Sequence, residues 1–378
     1  MTIVVTIYIL VNYYIFIHAL QAFPTGSVIR IWFIFSYWLI ASAFVFARIM
    51  ERAHPCHFTE ALTWIGSVWL AFMLFFFISV LLLDIIRLFE HFFHFLPAAW
   101  MDNYLTTKQI TLLITIIIVS IIVTAGYINA RNPRVKELFL EINKSGHGRK
   151  ELTISMASDI HLGTIIRKAK ARELVRLLNA PKPDLILFAG DVVDEDLAPV
   201  IRDNIGEALC QLKAGIGIFA ITGNHEYIGG AGPAVDYLEK HGIRMLSDTA
   251  ILVNKQFYLV GREDRDKPRF SGKPRKELSE IMKDVDLSYP VILMDHQPFN
   301  LGTAASLGAD LQLSGHTHHG QIWPFNYITE AIYEVSWGYK KIGNTHIYVS
   351  SGFGTWGPPV RLGNRPEVVI IHLRFRDE

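Results

Sequence analysis

Residues 61–83 contain no charged side chain over 23 consecutive positions, and residues 109–130 contain none over 22. A helix needs about 20 apolar residues to cross the roughly 30 Å hydrocarbon core of a bilayer, so each run is long enough to span one. Residues 1–29 also lack Lys, Arg, Asp and Glu, with Pro24 and Gly26 interrupting the run and Arg30 following it. The pattern predicts about four membrane-crossing helices, at 3–23, 29–47, 61–83 and 109–130, forming a transmembrane domain over 1–130. Trp32, Trp38, Trp64, Trp69 and Trp100 fit the aromatic enrichment of membrane interfaces. A cleaved signal peptide would open on basic residues, and Met1-Thr2-Ile3 supplies none. The stretch 86–107, with Leu88, Phe89, Phe92 and Phe93 beside His91 and His94, reads as an amphipathic helix in the interface. Asp84 and Glu90, near the end of the third span, have no evident partner.

The charge is spread unevenly. Residues 1–128 hold five Lys/Arg and five Asp/Glu, while the other 250 hold 31 and 30. The chain therefore joins an apolar third to a part long enough for one sizeable domain. Neither part has the basic excess that nucleic-acid binding requires. Cys56 and Cys210 stand far apart, which argues against a disulfide framework or a thiolate metal site. Arg48, Arg52, Arg131, Arg134 and Lys136 fall on one side of the four spans, and Arg30, Arg87 and Lys108 on the other. Five against three places the C-terminal part on the cytoplasmic side of an inner cell membrane, by the positive-inside rule.

From about residue 150 the text alternates. Short apolar runs at 152–157, 185–189, 216–221, 257–260, 291–294, 311–313, 347–349 and 368–372 read as strands. Helical periodicity lies between them, at 167–179 and 199–212. This is an α/β layered domain over 150–375. Polar residues follow five of the strands: Asp159 and His161, Asp191, Asn224 and His225, His296, then His316 and His318. Strand C-termini are where open α/β sheets collect binding residues, and core packing alone would not put polar side chains at the same end of five strands.

These residue types bind metal. Imidazole suits zinc, manganese-class and iron ions, and carboxylate or amide oxygen suits harder divalent ions. Asp-x-His places two ligands on one side of an extended segment. Seven such side chains are too many for one tetrahedral ion and suit two ions sharing a carboxylate. Two divalent ions roughly 3.5–4 Å apart lower the pKa of a bridging water and neutralise phosphate oxygens.

The set Asp159-x-His161, Gly190-Asp191-x-x-Asp194, Gly223-Asn224-His225-Glu226, His296 and Gly315-His316-x-His318 resembles the five blocks of the calcineurin-like metallophosphoesterases, in order. The phrases Ser158-Asp159-Ile160-His161-Leu162-Gly163 and His318-His319-Gly320-Gln321-Ile322 look most like the bacterial membrane-associated branch; His319 stands where that branch usually has glycine. The resemblance implies a sandwich of two mixed β-sheets flanked by helices, behind the N-terminal transmembrane helices. It implies two divalent metal ions (Mn, Fe or Zn), the first held by Asp159, His161, Asp191 and His318 and the second by Asp191, Asn224, His296 and His316. His225 would contact the phosphate or protonate the leaving oxygen, and Asp194 would orient neighbouring groups.

Arginine forks suit phosphate, and Arg262, after a strand, is the expected substrate contact beside Asn224 and His225. The turn at 352–359 is expected to border the pocket, with Arg361 near phosphate. Trp323, Phe325 and Trp356 would meet an acyl chain or pack in the core. Four spans exceed what an anchor needs, so a lipid-linked phosphate ester or pyrophosphate is the expected substrate. Some members of this superfamily hydrolyse a UDP-linked acylated sugar in lipid A assembly. The rival readings are a non-catalytic metal-binding scaffold and a receptor domain.

Overall fold

The computed structural model describes residues 2–53, 56–97, 100 and 102–376. The chain divides into two units, residues 1–128 with 357–360, and residues 129–356 with 361–378.

The first unit contains four helices long and apolar enough to cross a membrane: α1 (Thr2–Leu20), α2 (Val28–Ala53), α3 (His57–Phe93) and α4 (Tyr104–Ala130). α2 packs on α3 where Gly66 sits against the backbone of Phe44; a Cβ at Gly66 would collide with it. Small residues at such a crossing let two backbones approach in an apolar solvent. Asn12, buried between α1, α2 and α3, joins them by polar contacts. Its Oδ1 accepts from Trp69 Nε1 at 3.0 Å, and its carbonyl accepts from Tyr37 at 2.8 Å.

Two expectations change here. The third helix does not stop at 83 but runs to Phe93, 37 residues or roughly 55 Å at 1.5 Å per residue. Nothing between 83 and 93 breaks a helix, and the chain turns only where His94 takes a left-handed φ of 48°. Glu90 then accepts from the amides of Phe95 and Leu96. Residues 86–93 thus belong to the long helix, and residues 98, 99 and 101 of the expected interfacial segment lie outside the described residues. Asp84 is not unpartnered either: it accepts from Tyr14 and pairs with Arg87.

The second unit is the expected sandwich of two mixed sheets. One has the order β1-β12-β2-β3-β4-β5, with β1 Arg134–Ser145, β2 Glu151–Ala157, β3 Leu185–Ala189, β4 Gly217–Ile221, β5 Arg244–Met245 and β12 Glu367–Arg376. The other has the order β10-β11-β9-β8-β7-β6, with β6 Thr249–Val253, β7 Phe257–Gly261, β8 Val291–Met294, β9 Leu311–Ser314, β10 Gly338–Ile342 and β11 Thr345–Val349. β2 to β5 run parallel, as do β7, β8, β9 and β11. Strand alternation splits the core into layers. Leu185, Leu187 and Ala189 of β3 meet Ile292, Met294, Leu311 and Leu313 of the other sheet. Ile186 and Phe188 point the other way, under Leu174, Val175 and Leu178 of helix α5 (Lys168–Asn179). Strand β1, which precedes residue 150, was not foreseen: it joins the sheet by parallel pairing with β12, more than 200 residues away.

Candidate metal centre

The seven candidate ligands come together at the C-terminal ends of β2, β3, β4, β8 and β9. Five of the seven take left-handed backbone conformations: φ is 51° at Asp159, 52° at His161, 53° at Asp191, 72° at His316 and 46° at His318. Non-glycine residues rarely adopt this region, and such outliers cluster at functional sites. The glycines of the motifs have a packing reason. Gly190 has φ +91°, and a Cβ there would strike the ring of His296; a Cβ at Gly315 would strike Asp159.

Glu226 holds the Asp191 loop in place. Its carboxylate accepts from the amides of Asp191, Val192 and Val193 at 3.1, 2.7 and 3.0 Å, and from Gly223 at 2.7 Å. Sequence reading quoted Glu226 within its motif but assigned it no role; four amides converging on one carboxylate are visible only in three dimensions.

The side chains form three overlapping groups that could each hold an ion: Asp159, His161 and His318; His161, Asp191 and His225; and Asp191, His296 and His316. Nε2 of His161 lies 3.0 Å from Nε2 of His318. Asp191 Oδ2 is 3.1 Å from Nε2 of His296 and 3.9 Å from Nε2 of His161, so Asp191 is shared by two of the groups. Asn224 Oδ1 is 2.8 Å from Nδ1 of His316.

This donor set fits metal ions. His296 Nδ1 faces the carbonyl of Ala189 at 2.7 Å, and a carbonyl only accepts, so Nδ1 carries a proton. Its Nε2 is buried with no hydrogen-bond partner and points at the carboxylate of Asp191. A ring nitrogen this close to a carboxylate needs a cation between them, a proton or a metal ion. Burial opposes a proton there, but Asp191, Asp159 and Asp264 outweigh it and hold the imidazole well above its ordinary range. Metal binding must therefore displace that proton. Burial, and next the charge of His296, pushes His316 down to about 3; burial and Arg361 push His318 well below its usual value. Each neutral ring keeps one lone pair; on His318, Nδ1 faces the guanidinium of Arg361, which only donates, so a metal ion at Nε2 would have to displace the remaining ring proton.

His225 differs from the others. Its Nδ1 donates to Asp194 Oδ1 at 2.8 Å, and its backbone amide donates to Asp191. Burial lowers its proton affinity, but Asp191, Asp194 and Glu195 more than compensate and raise it to about 9.

A cleft of about 400 Å³ opens over Asp191, Asn224, His225, His316 and His318. Its other wall is apolar: Phe325, Ile328 and Ile332 on and beside helix α6 (Asn326–Ile332), with Tyr333 and Trp356. The Trp356 ring stands edge-on to His225 with centroids 6.0 Å apart. Trp323, Phe325 and Trp356 are all exposed, which answers the choice between packing in a core and facing outward, and Ile328 and Ile332 are exposed beside them.

Two expected phosphate contacts are elsewhere. Arg262 is not among the residues lining the cleft. Its guanidinium donates to Asp295 at 2.8 Å and to the Lys276 carbonyl at 3.1 Å, in a buried pair beside the His296 strand end. Arg361 is fully buried and touches His318 Nδ1 at 3.0 Å, Ser351 O at 2.6 Å and Gly354 O at 2.6 Å. A buried guanidinium needs acceptors on every side, and protein carbonyls supply them before phosphate can. His319 has φ 46°, a conformation natural to glycine, and its ring faces Ser336 rather than the cleft.

Two mixed sheets with Asp, Asn and His gathered at their strand ends define a metal-dependent phosphoesterase. The calcineurin-like phosphoesterase family model matches residues 152–320. An uncharacterized metallophosphoesterase of Aquifex aeolicus is 35% identical over 243 residues, 64% of this chain and 92% of that one. One from Campylobacter jejuni is 32% identical over 268 residues, 69% of each chain. A bovine transmembrane protein with metallophosphoesterase domain is 28% identical over 281 residues, 69% of this chain and 62% of that one. The chain belongs to the calcineurin-like metallophosphoesterase family, whose members use a dinuclear metal site.

Proposed function

We propose that this protein is a membrane-tethered dimetal phosphohydrolase acting on a lipid-linked phosphate ester or pyrophosphate. The observation that carries the reading is a cleft with two faces, a floor of Asp, Asn and His side chains around Asp191 that could hold metal ions and a wall of exposed apolar ones. In this reading residues 1–130 form the tether and the residues around 150–375 the catalytic part. Asp159, His161, His318 and Asp191 hold one ion; Asp191, Asn224, His296 and His316 hold the other. When bound, two such ions supply Lewis acidity, lowering the pKa of a water and neutralising phosphate charge.

The chain's own residues do the rest. His225, held protonated by Asp191, Asp194 and Glu195, hands its Nε2 proton to the leaving oxygen. Asp194 fixes the ring by accepting from Nδ1, so Nε2 is the free donor. The amide of Asn224 contacts a phosphate oxygen. The wall of Phe325, Ile328, Ile332 and Trp356 receives the apolar part of the substrate and excludes water from the leaving group. A UDP-linked acylated sugar has this combination of pyrophosphate and acyl chain and is a specific candidate. The excess of Lys and Arg at the ends of α2 and α4 supports an inner-membrane protein with its catalytic unit in the cytoplasm.

The test uses the purified full chain with p-nitrophenyl phosphate and its bis-ester in Mn²⁺, before and after EDTA, in wild type and Asp191→Asn. Metal-dependent turnover lost in Asp191→Asn is expected, and its absence in every condition would leave a metal-binding scaffold. Turnover of generic esters with none of any lipid-linked phosphate in detergent would sink the lipid assignment alone.

A further inference from the structure

The four apolar helices enclose a second cavity, of about 260 Å³, that the catalytic reading does not use. α1, α2 and α3 pack on one another, while α4 stands more loosely beside them, and the cavity lies in the gap. Its walls are apolar, with Phe33, Tyr37, Phe76, Val80, Leu112 and Ile116 among them. At one end the lining becomes polar, at His18, Arg87 and Lys108.

The charges at that end do not balance. Asp84 Oδ1 neutralises Arg87 at 2.9 Å, and Asp84 Oδ2 accepts from Tyr14 at 2.6 Å and lies 3.5 Å from His18. Among the described residues, the hydrogen-bond acceptor of Lys108 is neutral, Gln21 Oε1 at 2.6 Å, with the Tyr104 ring 5.1 Å away. A Lys at a helix end usually extends its ammonium outward to water. Lys108 also lines the cavity, its ammonium on exposed Gln21, so among the described residues one positive charge stands without a paired carboxylate at the mouth of an apolar space. Ionisable residues within membrane segments pair or mark a ligand path. An apolar gap in a bilayer fills from the bilayer, and the positive end selects among its lipids.

We infer that this cavity binds one phospholipid with an anionic headgroup, its phosphate against Lys108 and Arg87 and an acyl chain between α2, α3 and α4. The inference stands independently of the catalytic reading, because its residues all belong to the first unit.

The experiment places the full chain in nanodiscs of phosphatidylcholine with a minor share of phosphatidylglycerol and counts retained lipids by native mass spectrometry. Wild type should retain one phosphatidylglycerol in preference to phosphatidylcholine. Lys108→Gln should weaken that preference roughly fivefold, the worth of one basic side chain at a membrane surface. Thr115→Trp, which fills the cavity without touching a charge, should abolish retention of either lipid. Arg48→Gln, at the far end of α2, should behave as wild type. Equal retention of the two lipids by wild type overturns the inference. So does retention unchanged by Thr115→Trp, the deciding arm if Lys108→Gln does not fold.

Discussion

Nη2 of Arg361 donates to Nδ1 of His318 at 3.0 Å, and both side chains are buried. The arginine is held in turn by Ser351 O, Gly354 O and Asn364 Oδ1. A residue beside the last strand thus fixes the ring of a candidate metal ligand 43 positions earlier. Partners behind a ligating histidine set ring orientation, and their loss typically costs 10–100-fold in metal affinity or activity.

Arg361→Met should therefore lose metal and stability together. Removing the guanidinium strands four acceptors, Ser351 O, Gly354 O, Asn364 Oδ1 and His318 Nδ1, at about 1–3 kcal/mol apiece. The check is metal content by elemental analysis alongside thermal unfolding. Full occupancy with an unchanged Tm would contradict this role.

Asp194→Asn should change the pH–rate profile more than the structure. His225 must be protonated to act as an acid, so activity falls as pH rises through its pKa. Asp191, Asp194 and Glu195 together raise the imidazole to about 9; bound cations would cancel the pull of Asp191 and leave Asp194 and Glu195 to hold it up. With Asp194 neutralised, the alkaline limb of kcat should move to lower pH while KM stays near wild type. An unmoved limb would assign proton donation to another group.

Chelation should destabilise the second unit. Asp159, Asp191, His161 and His296 are buried side by side, and without cations their charges and lone pairs oppose one another or must take up protons. A ligand at 100 times its Kd contributes roughly 2.7 kcal/mol. At 2–4 °C per kcal/mol for a domain of this size, EDTA should lower Tm by roughly 5–10 °C. Calorimetry with and without Mn²⁺ measures it, and the same Tm in both would argue against occupied sites.

Trp356→Ala should discriminate by substrate. If the ring meets an acyl chain, about 50 Å² of apolar contact at about 25 cal/mol/Å² is lost, or roughly 1 kcal/mol. KM for esters with long apolar groups should rise about fivefold, while p-nitrophenyl phosphate is little affected. Equal effects on both would mean that Trp356 only supports His225.

His319→Gly should leave turnover within about twofold. The left-handed backbone costs a non-glycine residue roughly 1 kcal/mol, which glycine would recover while losing the Ser336 contact. A large loss of kcat/KM would make His319 a substrate contact after all.

The four apolar helices were legible because span length and the absence of charge are properties of consecutive residues. The candidate ligands were legible for a related reason. Asp159-x-His161, Asp191, Asn224, His296 and His316-x-His318 each follow a run that reads as a strand, and parallel strands place those ends on one edge. What was not legible depends on partners distant in sequence. Arg262 and Arg361 looked like phosphate contacts because an arginine after a strand carries no mark of what neutralises it. Asp295 and Lys276 claim the first, and His318 with two carbonyls the second. Asp84 looked unpartnered until α1 brought Tyr14 and His18 beside it. Strand β1 pairs with β12 across more than 200 residues, and no local pattern records that. The sequence by itself determined the membrane-crossing third, the layered class of the rest and the identity of the candidate ligands, because hydropathy, periodicity and side-chain chemistry are local. Only the tertiary structure decided which charged groups are free to meet a ligand, because a charge is used up by whatever the fold packs against it.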